Sequence, residues 1–152
     1  MRVELVPCYT DKDWYLHLAK EYVDTMSRYS EEVKWDQDAW DRAVWDASFI
    51  VDGGILCGFV CSSDIEYKNK PRLKIIEEIY VEKDERRRGV GTEAVRVLLE
   101  GFDGDVCLYI LNRNQEAKEF WTAVEDKLGW IRTERKDIRI WDDSELRVFK
   151  NE

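Results

Sequence analysis

Apolar and polar positions change period several times along the chain, and each change marks an expected element. Residues 2–6 alternate polar and apolar side chains, as a half-buried strand does. Between residues 11 and 29 apolar side chains recur every four positions, which predicts an amphipathic helix capped by Thr10 or Asp11. A second, shorter helix is expected over residues 36–45.

The middle of the chain carries the pattern of an antiparallel hairpin. Two apolar runs, residues 48–51 and 55–61, flank a turn that begins Asp52-Gly53, and an Asp-Gly turn between apolar runs favours a type I′ hairpin. Residues 66–72 are polar and are expected to form a loop. The chain then has a β-rich run over residues 73–82.

The second half alternates strand and helix patterns. In order, we expect a basic glycine-containing turn at 86–91, a helix at 92–100, a strand at 106–111, a helix at 114–128 and two strands within 130–150 joined near 142–144. A glycine at position 129 would stop the second of these helices. The element order predicts an α/β (α+β) fold with a mixed, largely antiparallel central sheet flanked by helices.

Composition indicates one compact domain over residues 1–152. Apolar residues make up 44% and charged residues 38% of the chain, as in a globular protein. No apolar run is long enough to span a bilayer and the first residues do not resemble a secretion signal, so we expect a cytoplasmic protein with no membrane partner. The four cysteines form no CxxC pair and are expected to be buried reduced thiols, with no metal site.

The charge is unevenly distributed. The net charge is −9, and residues 1–64 contribute −7 of it through 13 acids and 6 bases. Such an acidic half argues against nucleic acid as a partner and suits a cationic small-molecule substrate. Surface carboxylates that only aid solubility are the alternative explanation.

One segment carries the clearest chemical pattern. A strand runs into three consecutive arginines, Arg86, Arg87 and Arg88, and then into Gly89-Val90-Gly91-Thr92 at the start of a helix. Free N–H groups at a helix start, the helix dipole and guanidinium groups all favour an anion, and glycines let the backbone approach it closely. The pattern therefore predicts a pyrophosphate site.

Two other phosphate-binding motifs fit the segment less well. Gly89 to Ala94 matches GxGxxA, but a dinucleotide fingerprint follows the first strand of a parallel sheet, and here a hairpin precedes it and no acid ends the next strand. That alternative predicts a nucleotide-binding oxidoreductase. A Walker P-loop would require a Gly-Lys-Ser/Thr sequence that does not follow.

The arrangement resembles the GNAT superfamily of acetyl-CoA-dependent N-acetyltransferases. The family's Q/R-x-x-G-x-G/A block reads Arg86 to Gly91 here, after Ile79-Tyr80-Val81, and its N-x-x-A-x-x-F-Y block reads Asn114 to Trp121. A Gly-aromatic pair then closes the helix at Gly129-Trp130. The resemblance implies a single GNAT domain that uses acetyl-CoA and acetylates an amine.

The resemblance also implies positions for the cofactor. The backbone of Ile79, Tyr80 and Val81 would pair with the pantetheine arm, the turn from Arg87 to Thr92 would hold the pyrophosphate, and Asn114 would contact the pantetheine from the other side.

Two adjacent glutamates are candidates for the catalytic base. Glu77 lies where spermidine/spermine and thialysine acetyltransferases carry a catalytic glutamate, in a similar sequence, so we place it first and Glu78 second. Regular alternation would put Glu77 on the face of Ile75, Ile79 and Val81, with Glu78 on the opposite face. The alternative is that both glutamates only pair with basic side chains at a wet strand end.

Trp121 occupies the position where the family usually carries a tyrosine as general acid. An indole N–H cannot protonate a thiolate, so Tyr109, Tyr80 or water would substitute, or the thiolate leaves unaided. A catalytically silent module that binds coenzyme A as a sensor is therefore the second hypothesis.

Under the first hypothesis, an N-acetyltransferase, the leading acceptor is a small amine, polyamine-like or lysine-like.

Three tryptophans spaced five apart, at positions 35, 40 and 45, would line an acceptor pocket together with nearby aspartates, although packing in the core or in a homodimer interface is the interpretation we favour. We expect the single histidine, His17, to be packed beside Trp14 and Leu18 rather than to act as a base.

Overall fold

The computed structural model describes residues 1–151. The helices and strands are β1 Val3–Pro7, α1 Lys12–Met26, α2 Gln37–Ala43, β2 Ala47–Asp52, β3 Ile55–Ile65, β4 Leu73–Val81, α3 Val90–Leu98, β5 Gly104–Leu111, α4 Gln115–Leu128, β6 Ile131–Arg132 and β7 Ser144–Asn151. Short 3-10 turns at Cys8–Asp11, Val44–Asp46 and Lys83–Glu85 connect some of them.

All seven strands form one sheet in the order β1-β2-β3-β4-β5-β7-β6. Strands β4 and β5 are parallel, whereas the other neighbours are antiparallel. The helix α3 makes the crossover between the two parallel strands, as the parallel pairing requires. The predicted mixed, largely antiparallel sheet flanked by helices is confirmed.

Helices cover both faces of this sheet. On the α3 face, which carries Val60, Ile76 and Leu108, α3 and α4 bury the largest apolar cluster. The opposite α1 face carries two separate clusters. One, around Phe59 and Cys61, lies under α1, and the other, around Cys107, packs against Ile138 in the segment that joins β6 to β7. The four cysteines are buried free thiols, as predicted.

Several boundaries differ from the sequence expectations. Asp11 caps α1, which ends three residues earlier than predicted, at Met26. The hairpin has Gly53 and Gly54 as its central turn residues, with φ of 56° and 86°, the signs that a type I′ turn requires. The predicted C-terminal strand pair is reduced to the two residues of β6, and most of residues 133–143 form an irregular segment.

His17 is the clearest local correction. Its side chain is exposed rather than packed, lies over Trp14 with ring centroids 4.8 Å apart, and has Nε2 3.3 Å from Glu21 Oε1. The tryptophans at 35 and 40 stack on each other, and Trp40 packs against the cluster under α1, whereas Trp45 is exposed and stacks on Tyr9. The three indoles therefore do not line one pocket.

Replacing Gly58 should disrupt the pairing of β3 with β4. A Cβ at Gly58 would lie 1.8 Å from the Tyr80 carbonyl oxygen, and a backbone neighbour cannot rotate out of the way. We expect Gly58→Ala to lower the free energy of unfolding by more than about 3 kcal/mol, at the upper end of overpacking effects, in urea or thermal unfolding. Ser62→Ala on the same strand is the control, and an unfolding free energy of G58A equal to that of S62A would contradict the close approach.

Candidate active site

The two parallel strands separate in the middle of the sheet. Their pairing runs from Leu73 with Asp105 to Ile76 with Leu108, and then stops although β4 continues to Val81 and β5 to Leu111. The diverging ends leave a cleft between the strands, along which backbone groups of β4 have no partner on β5. Such an opening offers one strand edge to an extended ligand.

The open edge of β4 belongs to Ile79 and Val81. The Glu82 N–H donates to the Cys57 carbonyl of β3, so alternation turns Tyr80 toward β3 as well and Ile79 and Val81 toward the cleft. Of the three residues expected to pair with a pantetheine arm, only these two present their backbone to the opening. Tyr80 instead projects its ring onto the α1 face, where its hydroxyl donates to Glu21.

The cleft ends at the glycine turn that precedes α3. Gly89 adopts a left-handed conformation with φ of 80° as the N-cap, and an added Cβ there would touch only the Met1 methyl group, at 3.8 Å. Glu93 N–H makes the first helical bond, to Gly89 O, so the N–H groups of Val90, Gly91 and Thr92 have no partner within the helix. Unpaired N–H groups at a helix start suit an anion, as the sequence pattern predicts, while the Val90 side chain is buried in the core.

The missing side chain of Gly91 serves packing. A Cβ on this residue would lie 2.8 Å from Cε1 of Phe120 and 3.5 Å from a methyl group of Val81. Glycine here therefore lets α3 pack closely against α4 and β4. The space that a side chain would need is thus taken by Phe120 at Gly91 and is open at Gly89, while the Gly91 N–H stays among the unpaired groups of the helix start.

The three arginines of the turn have different partners. Arg88 pairs with Asp52 at 3.3 Å and also with Glu85, while Arg86 donates through Nε to the Val81 carbonyl at 2.6 Å and lies over the Tyr80 ring. Arg87 is exposed with φ of 64°, and no carboxylate of residues 1–151 lies within 4 Å of its guanidinium group. Arg86 and Arg87 therefore both keep a charge that no carboxylate of residues 1–151 neutralises, and Arg87 is the one with no side-chain hydrogen bond, whereas Arg88 fixes the turn.

A β-bulge at Glu77 changes which side chains share a face. Cys61 of β3 pairs with Glu78 and the next residue, Ser62, pairs with Ile76, so Glu77 is an extra residue on β4. The bulge reverses the alternation: Ile76 and Ile79 both face α3. The regular alternation expected from the sequence is therefore wrong at this point.

Both glutamates consequently lie on the α1 face. Glu77 is exposed and accepts a hydrogen bond from Ser63 Oγ at 2.9 Å, and Ser63 lies opposite Ile75 on that face. Glu78 is half-buried beneath α1, where it accepts a hydrogen bond from the Tyr22 hydroxyl. The two carboxylates are neighbours in space as well as in sequence.

Burial raises the pKa of Glu78 to about 7; the Tyr22 hydrogen bond opposes this shift and the negative charge of Glu77 adds to it. A carboxyl with a pKa near neutrality can take up and release a proton at the pH of a cell. Tyr22 was not singled out as a functional residue from the sequence, because its place in the apolar stripe of α1 predicted only core packing.

Trp121 and Asn114 occupy structural positions. Trp121 is 5% exposed and stacks on Trp130 in the core of the α3 face, with centroids 6.4 Å apart. Asn114 caps α4 by accepting from the Ala117 N–H at 3.0 Å, and its Nδ2 contacts Met26 Sδ at the end of α1 at 3.6 Å. The structure therefore brings Glu77 and Glu78 to the cleft, and buries the indole at the usual tyrosine position.

A sequence profile of the Acetyltransferase (GNAT) family matches residues 12–126. The chain belongs to this family. The split strands, the glycine turn and the helix that follows are thus parts of a GNAT acetyltransferase. No curated protein matches this GNAT chain in sequence.

Solved GNAT structures share the fold at low sequence identity. An acetyltransferase from Streptococcus agalactiae superimposes with a TM-score of 0.71 at 14% identity, covering 99% of this chain and 96% of that one. A diaminobutyrate acetyltransferase from Paenibacillus lautus, in complex with its substrate and coenzyme A, gives 0.66 at 11% identity, over 98% and 95%. Arabidopsis thaliana Naa50 with a bisubstrate analogue gives 0.60 at 16%, over 100% and 99%.

The residues of this GNAT acetyltransferase fit acetyl-CoA as its acyl donor. The backbone groups of Ile79 and the Val81 N–H suit an extended amide-containing chain, since only the Val81 carbonyl of this edge is occupied, by Arg86. The unpaired N–H groups after Gly89, together with Arg87, suit a pyrophosphate. No helix within residues 1–151 is long and apolar enough to cross a membrane.

Removing the Glu78 carboxyl should change how stability depends on pH. Folding raises the pKa of Glu78 from 4.5 to about 7, so the folded state binds the proton more tightly and loses stability as pH rises between these values. The loss is at most about 3 kcal/mol. Glu78→Gln should therefore match the wild type at pH 4 and exceed it at pH 8 in urea unfolding.

The control for this measurement is Glu31→Gln, an exposed loop substitution. Parallel stability curves for E78Q and the wild type from pH 4 to pH 8 would contradict the raised pKa of Glu78.

Proposed function

We propose that this acetyltransferase moves an acetyl group from acetyl-CoA to a primary amine of a small cationic acceptor, with Glu78 as general base. The observation that carries the proposal is the carboxyl of Glu78, held beside the strand split with a pKa near 7. Acetyl-CoA would supply the acetyl thioester. In the overall reaction the N–C bond forms and the C–S bond breaks. The nitrogen loses two protons, of which one is released through the base and the other ends on the thiolate of coenzyme A by way of solvent.

Removal of the ammonium proton is the step for which the protein must supply a base. An alkylammonium has a pKa of about 10 and is not nucleophilic until it is deprotonated. Glu78 lies two residues after Ile76, the last residue of β4 that pairs with β5. Its carboxylate is therefore close to the point where the cleft begins. We assign it proton removal, directly or through a water, in place of Glu77.

Glu77 has a supporting role in this proposal. Its exposed carboxylate lies on the α1 face next to Glu78, where an incoming ammonium meets two negative charges. Its charge also raises the pKa of Glu78. The free N–H groups of Ile79 and Val81 hold the donor along the strand edge and stabilise negative charge that develops on the acyl oxygen.

The two tyrosines considered as substitutes for Trp121 as general acid are both engaged in other hydrogen bonds. The Tyr80 hydroxyl donates to Glu21 and the Tyr109 hydroxyl donates to the Arg139 carbonyl, so both protons are already in hydrogen bonds. We propose that the thiolate of coenzyme A leaves without a protein acid. Deprotonation of the amine then limits the reaction at low pH.

Glu78→Gln should lower kcat/KM for any amine acceptor by about 10²- to 10⁴-fold, the range for loss of a general base. The wild-type rate should rise tenfold per pH unit below an apparent pKa of about 7 and level off above it. Tyr22→Phe keeps the base but removes a hydrogen bond that lowers its pKa, so its profile should shift to higher pH.

Thiol release from acetyl-CoA is the measurement. Coenzyme A binding without turnover of any amine would replace this proposal by the second hypothesis, a silent binding module. Turnover that is unchanged in E78Q would reject Glu78 as the base.

Arg87→Gln should weaken coenzyme A binding by about tenfold, the effect of one charge-assisted phosphate contact. The effect should shrink at high salt, because the lost interaction is a partly exposed charge pair. Isothermal calorimetry with coenzyme A measures both changes. Arg42→Gln, on the exposed side of α2, is the matched control, and equal affinity of R87Q and R42Q would contradict the role of Arg87.

A further inference from the structure

A polar strip separates the two apolar clusters of the α1 face. One cluster lies under α1 around Phe59, and the other lies under residues 133–143 around Cys107. Ser63 and the exposed Glu77 lie between them, joined by their hydrogen bond. Glu77 therefore lies between α1 and the 133–143 segment, and the polar strip between these two elements is the groove to which an acceptor has access.

The wall opposite α1 is built on Tyr109. Ile76 and Leu108 are the last paired residues of β4 and β5, so Glu77 and Tyr109 are the next residue on each strand, and Tyr109 shares the α1 face with Cys107. The Tyr109 hydroxyl donates to the Arg139 carbonyl at 2.6 Å. This bond ties Arg139 to the wall of the groove.

The guanidinium group of Arg139 stacks on an indole at this wall. Its Cζ lies 3.8 Å from the centroid of the Trp141 ring, and both side chains are exposed. Burial raises the pKa of Tyr109, and the positive charge of Arg139 acts against this shift, which places that charge near the Tyr109 hydroxyl. Stacking on an indole leaves the N–H edge of a guanidinium available for a planar anion.

The charge of Arg139 is not neutralised by the described part of the chain. No carboxylate among residues 1–151 lies within 4 Å of it. Arg135, four positions earlier in the same segment, is by contrast paired with both Asp105 and Asp137. Arg135 is thus held in the fold by ion pairs. Arg139, by contrast, stays unpaired beside the groove that contains the negative charge of Glu77.

We propose that the acceptor is a diamino acid, whose carboxylate binds Arg139 while the reacting amine lies at Glu77 and Glu78. This inference rests on the proposed N-acetyltransferase function and adds the substrate class. A polyamine would instead bring a second ammonium toward the Arg139 guanidinium, and like charges in one groove repel each other. The groove therefore selects an amine that also carries a carboxylate.

The test compares acceptors that differ by one carboxylate. Ornithine is paired with putrescine, lysine with cadaverine, and 2,4-diaminobutyrate with 1,3-diaminopropane, and thiol release gives kcat and KM for each. We expect the wild type to favour the amino acid of at least one pair by tenfold or more in kcat/KM. Arg139→Gln should lower that value about tenfold, mainly through KM, and abolish the preference.

Charge reversal gives a second, independent readout. Arg139→Glu should favour the diamine over the amino acid, because its carboxylate repels one group and attracts the other. Arg42→Gln is the control and should retain the wild-type preference. Arg139 is exposed, so all variants are expected to fold, which thermal unfolding checks.

Each outcome supports or overturns the assignment. Two results would overturn the carboxylate site and leave the acetyltransferase function intact. One is a wild type whose kcat/KM is the same for the diamine and the amino acid of every pair. The other is an R139Q variant whose kcat/KM falls equally for both. Acetylation of peptide N-termini with no turnover of the six small acceptors would do the same. Absence of turnover with every amine would overturn both proposals.

Discussion

The loss of pairing between β4 and β5 after Ile76 is the constraint on which the site depends. A continuous parallel ladder would have satisfied every backbone group of both strands and left no opening. The sheet instead keeps the pairing only where both faces are covered by apolar clusters, around Leu73, Ile76 and Cys107. Beyond that point backbone groups of β4 remain available, and family membership identifies acetyl-CoA as the donor for which they are suited.

The bulge at Glu77 determines the chemistry at the opening. If the same sequence continued in regular alternation with no bulge, Glu78 and Ile79 would exchange faces, and a carboxylate would lie in the apolar cluster under α3. With it, Glu78 lies beneath α1 and bonds to Tyr22, in surroundings that are apolar enough to raise its pKa and polar enough to accept its charge. One inserted residue therefore places two adjacent carboxylates on the same side.

Much of the fold could be predicted from the sequence because period and turn chemistry are local. The amphipathic stripe of α1, the hairpin at Gly53 and the end of α4 at Gly129 all follow from neighbouring residues. The bulge could not be predicted in this way. It depends on the register between β3 and β4, and Glu77-Glu78 reads as ordinary alternation when the partner strand is unknown.

The glycine turn also depends on partners that the local sequence does not reveal. The turn and its unpaired N–H groups follow from the local sequence, but the roles of its members depend on distant partners. Gly91 accommodates Phe120 from another helix, and Arg88 reaches Asp52 from the hairpin. Residues that appear equivalent in the motif therefore have different contacts, and only the three-dimensional neighbours distinguish them.

The contacts of Asp52 have a consequence for how quickly the turn can capture an anion. Oδ1 accepts from the Arg2 N–H at 2.9 Å and Oδ2 lies 3.3 Å from Arg88, so one carboxylate joins the N-terminal strand, the hairpin and the turn. A loop tethered in this way has little conformational freedom to lose on association. Encounter with the nucleotide end of the donor should then be governed by diffusion and long-range attraction rather than by a slow rearrangement of the loop.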